Sequence, residues 1–131
     1  EFPDKSCRPG TFSSANLSEV QGTLVSDDGG ASWRLGSSFA SGTAEGAIVQ
    51  MYDDPMHLLE TIRIDEATPN CSGPHPMQKQ APTHCKRSAK SMDGGLTWEV
   101  GDDIASLPDS GARGGLTQWP AAKAIIASNV K

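Results

Sequence analysis

Cys71, His75, His84 and Cys85 lie close together in the chain, and their side chains offer chemistry most directly, as metal ligands or as a disulfide. The adjacent His84-Cys85 pair is awkward for a tetrahedral site, so a Cys71–Cys85 disulfide is the expectation, no metal is assigned, and Cys7 stays single or pairs with another chain. Ser, His and Asp are all present, but never in the Gly-x-Ser-x-Gly spacing that presents a serine nucleophile on a sharp turn. Tyr52 is the only tyrosine and stands beside a turn, where strand packing accounts for it. Arg113, between glycines, reads as a solvated loop residue, and nothing in these groups implies a cofactor.

Composition narrows the setting. A chain of 131 residues suits one domain. Eleven Lys and Arg against sixteen Asp and Glu leave a net charge of −5 without like-charge runs, which argues against nucleic acid or an anionic membrane as partner. Apolar stretches such as Ala124-Ile125-Ile126-Ala127 fall far short of the roughly 20 residues of a bilayer-spanning helix, so no membrane span is expected. Fourteen Gly and nine Pro punctuate the chain too densely for long helices and suit an all-β fold of short strands. The cysteines, together with the sequons Asn16-Leu17-Ser18 and Asn70-Cys71-Ser72, favour a secreted or extracellular protein.

The strands needed to position any site can be read from pattern. Residues 1–19 form an irregular lead-in. Residues 20–26 and 32–35 flank Asp27-Asp28-Gly29-Gly30 as a first hairpin, joined by a polar connection over 36–44 to a second hairpin, residues 45–52 and 56–64 around Asp53-Asp54-Pro55. Residues 65–86, rich in proline and without apolar period, read as a long loop closed by the Cys71–Cys85 bond. A third hairpin pairs 87–91 with 97–100 around Asp93-Gly94-Gly95, and a last strand covers 123–128 after a glycine-rich stretch, 111–115.

The first and third hairpins repeat one another. Ser26-Asp27-Asp28-Gly29-Gly30-Ala31-Ser32-Trp33 and Ser91-Met92-Asp93-Gly94-Gly95-Leu96-Thr97-Trp98 share Ser-x-Asp-Gly-Gly-x-(Ser/Thr)-Trp at an offset of 65 residues. The carboxylates of Asp28 and Asp93 can accept turn N–H groups, Gly30 and Gly95 can take left-handed backbone angles, and Trp33 and Trp98 can staple each bend to a neighbour; Ser26 and Ser91 open the turns. This is a folding device rather than a reactive site. Without the loop over 65–86, the spacing falls near the ~40–50 residues of one four-stranded propeller blade.

These boxes resemble the Asp-boxes of the sialidase (neuraminidase) family, and the order between them resembles it too: Glu45-Gly46-Ala47-Ile48-Val49, Asp53-Asp54, Leu58-Leu59-Glu60-Thr61-Ile62-Arg63, the second box, then Leu107-Pro108-Asp109-Ser110-Gly111-Ala112-Arg113-Gly114-Gly115-Leu116 and Ile125-Ile126-Ala127-Ser128-Asn129. The likeness spans about residues 20–129. It implies that residues 20–131 form two to three blades of a six-bladed β-propeller whose remaining blades come from elsewhere. It also implies an exo-α-sialidase as parent, which hydrolyses terminal sialic acids from glycoconjugates, and two site residues. Glu45 falls where the family places the base toward a tyrosine nucleophile, and Arg63 where it places one of three arginines that clamp the sialic acid carboxylate. A tyrosine hydroxyl titrates near 10 and needs such a base, and the planar arginine fork meets a carboxylate with two hydrogen bonds. Read alone, Glu45 is equally a solvated edge residue, and Arg63 the polar side of a half-buried strand.

Departures are plain: Thr61 replaces a common Asn, Ala112 a common Cys, and the turn at 52–56 is longer than usual. The first and third clamp arginines, the aspartate acid and the tyrosine nucleophile have no counterpart in the 131 residues, so the isolated chain is expected to be inactive. Sialylated glycans are the expected partners. A non-catalytic sialoglycan-binding module and a structural Asp-box domain assembling with another chain are the alternatives.

Overall fold

The computed structural model describes residues 20–41, 43–64, 84–109 and 114–129. Within these the strands are β1 (Val20–Gln21), β2 (Leu24–Val25), β3 (Arg34–Leu35), β4 (Phe39–Ser41), β5 (Thr43–Gln50), β6 (Leu58–Ile64), β7 (Cys85–Ser91), β8 (Glu99–Pro108), β9 (Gly115–Trp119) and β10 (Ala124–Ser128). A 3-10 turn over Pro120–Ala122 is the only helical piece among the described residues, so the all-β expectation holds. The lead-in over 1–19, the loop segment 65–83, Cys7, Cys71, His75 and Arg113 lie outside the described residues.

The centre is a four-stranded antiparallel sheet in the order β5-β6-β7-β8, each strand paired with the next in sequence. The second and third expected hairpins are its outer pairs. In the β5–β6 turn, Asp53 and Asp54 accept hydrogen bonds from the backbone N–H groups of Asp54 and Met56 at 3.0 and 2.8 Å, the local bonding for which short acidic side chains suit turns. The first hairpin forms as β2–β3, with Leu24 opposite Leu35 and Val25 opposite Arg34.

Three stretches differ from expectation. The connection over 36–44 contains β4, which pairs with β1, because Phe39 finds a buried seat against Trp98 and tertiary packing overrides a small, polar local composition. The third hairpin's return strand continues to Pro108. The glycine-rich stretch runs straight into a strand, β9, which pairs with β10 in register from Gly115↔Ser128 to Trp119↔Ala124. Tyr52 lies beyond the end of β5, exposed, and its hydroxyl donates to the Ala124 carbonyl at 3.2 Å, linking the central sheet to β10 instead of packing within a strand.

Both boxes fold alike. Asp93 accepts from Ser91 Oγ (2.9 Å), the Thr97 N–H (2.8 Å) and Thr97 Oγ1 (2.5 Å), and Asp28 accepts from Ser26 Oγ (2.8 Å), the Ser32 N–H (2.9 Å) and Ser32 Oγ (2.6 Å). These donors, those of Thr97 and Ser32 foremost, hold both carboxyls down to about 2. Gly30 and Gly95 sit at φ 95° and 90°, the left-handed region where a Cβ is strained. The ladder repeats with the box: Leu24↔Leu35 and Val25↔Arg34 recur 65 positions later as Ala89↔Val100 and Lys90↔Glu99. Even the break recurs, since β1–β2 and β3–β4 are interrupted where β7–β8 shifts register between Arg87 and Ala89.

The core lies on one face of the central sheet, where Phe39, Ile62 and Ala89 cluster with Trp98 packed against them. Phe39 and Trp98 stack with ring centroids 5.1 Å apart at 19°. Glu60 shares this face and is fully buried. Gln21 Nε2 donates to its Oε1 at 2.7 Å, Oε2 has no partner among the described residues, and a Cβ on Gly46 would collide with the carboxyl. Burial pushes the Glu60 pKa up to about 7, against the opposing effect of the Gln21 hydrogen bond.

Two outcomes follow. Gly95→Ala, strained at φ 90° and pressed within 3.2 Å of Thr23 Cγ2, should lower unfolding stability by about 1–2 kcal/mol in urea titration, whereas Gly22→Ala, with open space around it, should cost less than half as much. Because the folded pKa of Glu60 lies above its ordinary 4.5, its contribution is present below pH 4.5 and lost as pH rises through about 7. Glu60→Gln should therefore flatten the stability profile over that window and leave the variant more stable than the parent at pH 8, by on the order of 2 kcal/mol.

Candidate functional site

The expected site residues Glu45 and Arg63 come from adjacent strands. Ala47 opposes Thr61 and Thr61 opposes Ser88, so these three share the face opposite Glu60 and Ile62, and two-residue alternation puts Arg63 and Lys86 on it too. Between Thr43↔Ile64 and Gly46↔Ile62 the register shifts, so that Ala44 and Glu45 together face the single residue Arg63. This bulge is what brings Glu45 to the guanidinium: Arg63 Nη1 donates to Glu45 Oε2 at 2.5 Å.

Two further charged residues, which the sequence reading did not single out, complete the group. Arg63 Nε donates to Asp109 at 3.2 and 3.3 Å, and Lys86 Nζ stands 3.8 Å from Asp109 Oδ1. Asp109 follows β8 directly, and its N–H donates to the His84 carbonyl at 2.8 Å, which fixes the carboxylate at the sheet end where β6 finishes and β7 begins. The last strand closes over the same end, for Asn129 Nδ2 donates to the Pro108 carbonyl and a Cβ on Gly114 would press to 3.2 Å from Lys86 Cε.

The four side chains differ sharply in burial. Asp109 and Lys86 are each 3% exposed, Arg63 19% and Glu45 41%. The Glu45 hydrogen bond, then the Asp109 charge, raise the Arg63 pKa against the effect of burial, so the fork is fixed as a cation. Burial lowers the Lys86 pKa, with the Asp109 charge opposing it. The result is a guanidinium anchored from below by a buried carboxylate and covered from the solvent side by an exposed one. An incoming carboxylate can reach such a fork by exchanging with Glu45, while Asp109 keeps the fork oriented.

Other sequence-based candidates fall elsewhere. Tyr52 stands past the far end of β5 from Glu45, roughly 20 Å along an extended strand, so it is not the phenol that Glu45 could deprotonate. Cys85 is disulfide-bonded, which removes its thiolate as a metal ligand; the assignment of Cys71 as its partner lies outside the described residues. Ser26, Asp28 and Gly30, with Ser91, Asp93 and Gly95, lie in the two box turns; Trp98 reaches a neighbour, whereas Trp33 donates to the Gly30 carbonyl of its own turn. Lys86 was legible only through strand register, since a lysine next to a cysteine carries no pattern of its own, and Asp109 stands within the 107–116 segment of the family likeness without a role attached to it there. Comparison with family models, curated proteins and solved structures found no match to this chain.

Asp109→Ala leaves a buried lysine and a mostly buried arginine without their shared carboxylate and should cost about 3 kcal/mol of unfolding free energy. Glu45→Ala, at the exposed end of the same network, should cost under about 1 kcal/mol. Equal losses in chemical denaturation would contradict the inside-out order of the cluster.

Proposed function

We propose that this chain is a segment of a sialidase-like Asp-box β-propeller whose parent hydrolyses terminal sialic acids from glycoconjugates. One observation carries the reading: Glu45 and Arg63, singled out by the resemblance, are ion-paired at 2.5 Å on one face. The topology supports it, because a four-stranded antiparallel meander with an Asp-box between its third and fourth strands suits a propeller blade. In this reading Arg63 receives the sialic acid carboxylate in exchange for Glu45, which is then released toward a tyrosine nucleophile, and Asp109, itself paired with Lys86, holds the arginine in place. A phenol nucleophile suits an anionic sugar that would repel a carboxylate. The disulfide at Cys85 supports a secreted or extracellular setting.

The test is a titration of the 131-residue chain with a methyl α-sialoside, followed by heteronuclear NMR. Expected is weak binding, with Kd on the order of millimolar for a single clamp residue, that Arg63→Ala removes and Arg34→Ala, at an exposed arginine paired with Asp27, leaves intact. Absence of binding, or binding indifferent to Arg63→Ala, would sink the proposal. The same chain should not turn over a fluorogenic sialoside, and turnover at an ordinary enzymatic rate would show that it already holds a complete site.

A further inference from the structure

The two Asp-boxes fold alike but are covered differently. Trp98 of the second box is half-buried: it stacks on Phe39 at 5.1 Å, and its indole Nε1 donates to Thr23 Oγ1 at 2.7 Å. The Leu96 carbonyl of that box accepts the Ser37 N–H at 2.8 Å, and Gly36 passes so close to Gly95 and Leu96 that a Cβ on it would clash with the backbone. The second box is thus seated on a surface made by the flanks of the first: a hydroxyl (Thr23), a glycine (Gly36), a backbone donor (Ser37) and an apolar side chain (Phe39).

Among the described residues, Trp33 of the first box has no such cover. It is 61% exposed, and its Nε1 reaches only its own turn, the Gly30 carbonyl at 3.1 Å. Yet the seat itself is present a second time. Advanced by the 65-residue offset, Thr23, Gly36, Ser37 and Phe39 become Ser88, Gly101, Asp102 and Ile104: again a hydroxyl, a glycine, a backbone donor and an apolar residue. The strand register carries the same offset, and Gly101 hugs Ser88 with no room for a Cβ. These residues line an open groove of about 470 Å³ on the β7–β8 pair.

We propose that a second copy of this chain docks head to tail, its Trp33 box seated in the Ser88/Gly101/Asp102/Ile104 groove as the Trp98 box is seated on Thr23, Gly36, Ser37 and Phe39 within one chain. The interface is heterologous: the Trp33 indole donates to Ser88 Oγ, the Asp102 N–H donates to the Ala31 carbonyl, and Ile104 covers the indole face. Such contacts propagate into rings where the rotation closes and into filaments where it does not. A second copy is the occupant because the chain itself supplies both halves of the interface and shows, once, how they fit. This inference holds whether or not sialosides bind.

Sedimentation velocity of the full chain over a wide concentration range tests it. Association rising with concentration is expected, and Trp33→Asp or Asp102→Arg, both at exposed positions, should each weaken it at least about tenfold, with far-UV circular dichroism unchanged. Mixing the two variants is decisive. Each retains one intact half, so the mixture should give a one-to-one heterodimer that neither forms alone and that stops at two. A chain that stays monomeric throughout, association unmoved by Trp33→Asp, or a mixture no more associated than its parts would overturn the proposal.

Discussion

The structure turns on how an Asp-box makes a hairpin rigid enough to be docked upon. Asp93 engages both carboxylate oxygens with one hydroxyl, one amide and a second hydroxyl of its own turn, which fixes the bend through local bonds alone. Only because the bend is fixed can Trp98 present a defined edge to Thr23 and a defined face to Phe39. The hydrophobic cluster of Phe39, Ile62 and Ala89 grows from that seat, and it is small. In a chain with so few large apolar side chains, local hydrogen bonding takes over part of the ordering that a thicker core provides elsewhere.

The opposite face of the same sheet uses charge where this face uses rings. Arg63 and Glu60 lie three positions apart on one strand and therefore face opposite sides. Arg63 meets two carboxylates, whereas Glu60 meets one amide and, among the described residues, no hydrogen-bond partner at its second oxygen. The strand thus carries a stabilised cation on one side and an acid held near neutral protonation on the other, a separation enforced by alternation alone.

How far this was legible in sequence depends on whether a feature is local. The boxes, their glycines and the β5–β6 turn could be read because their partners lie within a few residues. Glu45 and Arg63 were singled out, each for its own role, through likeness to a family; residue patterns alone left both as ordinary strand positions, and their ion pair came only with the fold. Strand β4 was missed because Phe39 is a lone aromatic among small polar residues, and its reason for being extended, the Trp98 ring, is far along the chain. Lys86 and Asp109 were missed for a similar cause: their meeting depends on β7 and β8 closing in register at Cys85↔Pro108, which no local spacing announces.

That closing pair has a chemical consequence. Cys85 is fully buried, so a thiolate reductant cannot strike its sulfur unless the sheet end first opens. The Cys85 half of the bond, next to Lys86, is thus shielded by the same sheet end that seats the charged cluster, so direct reduction there waits on an opening that would also loosen Asp109.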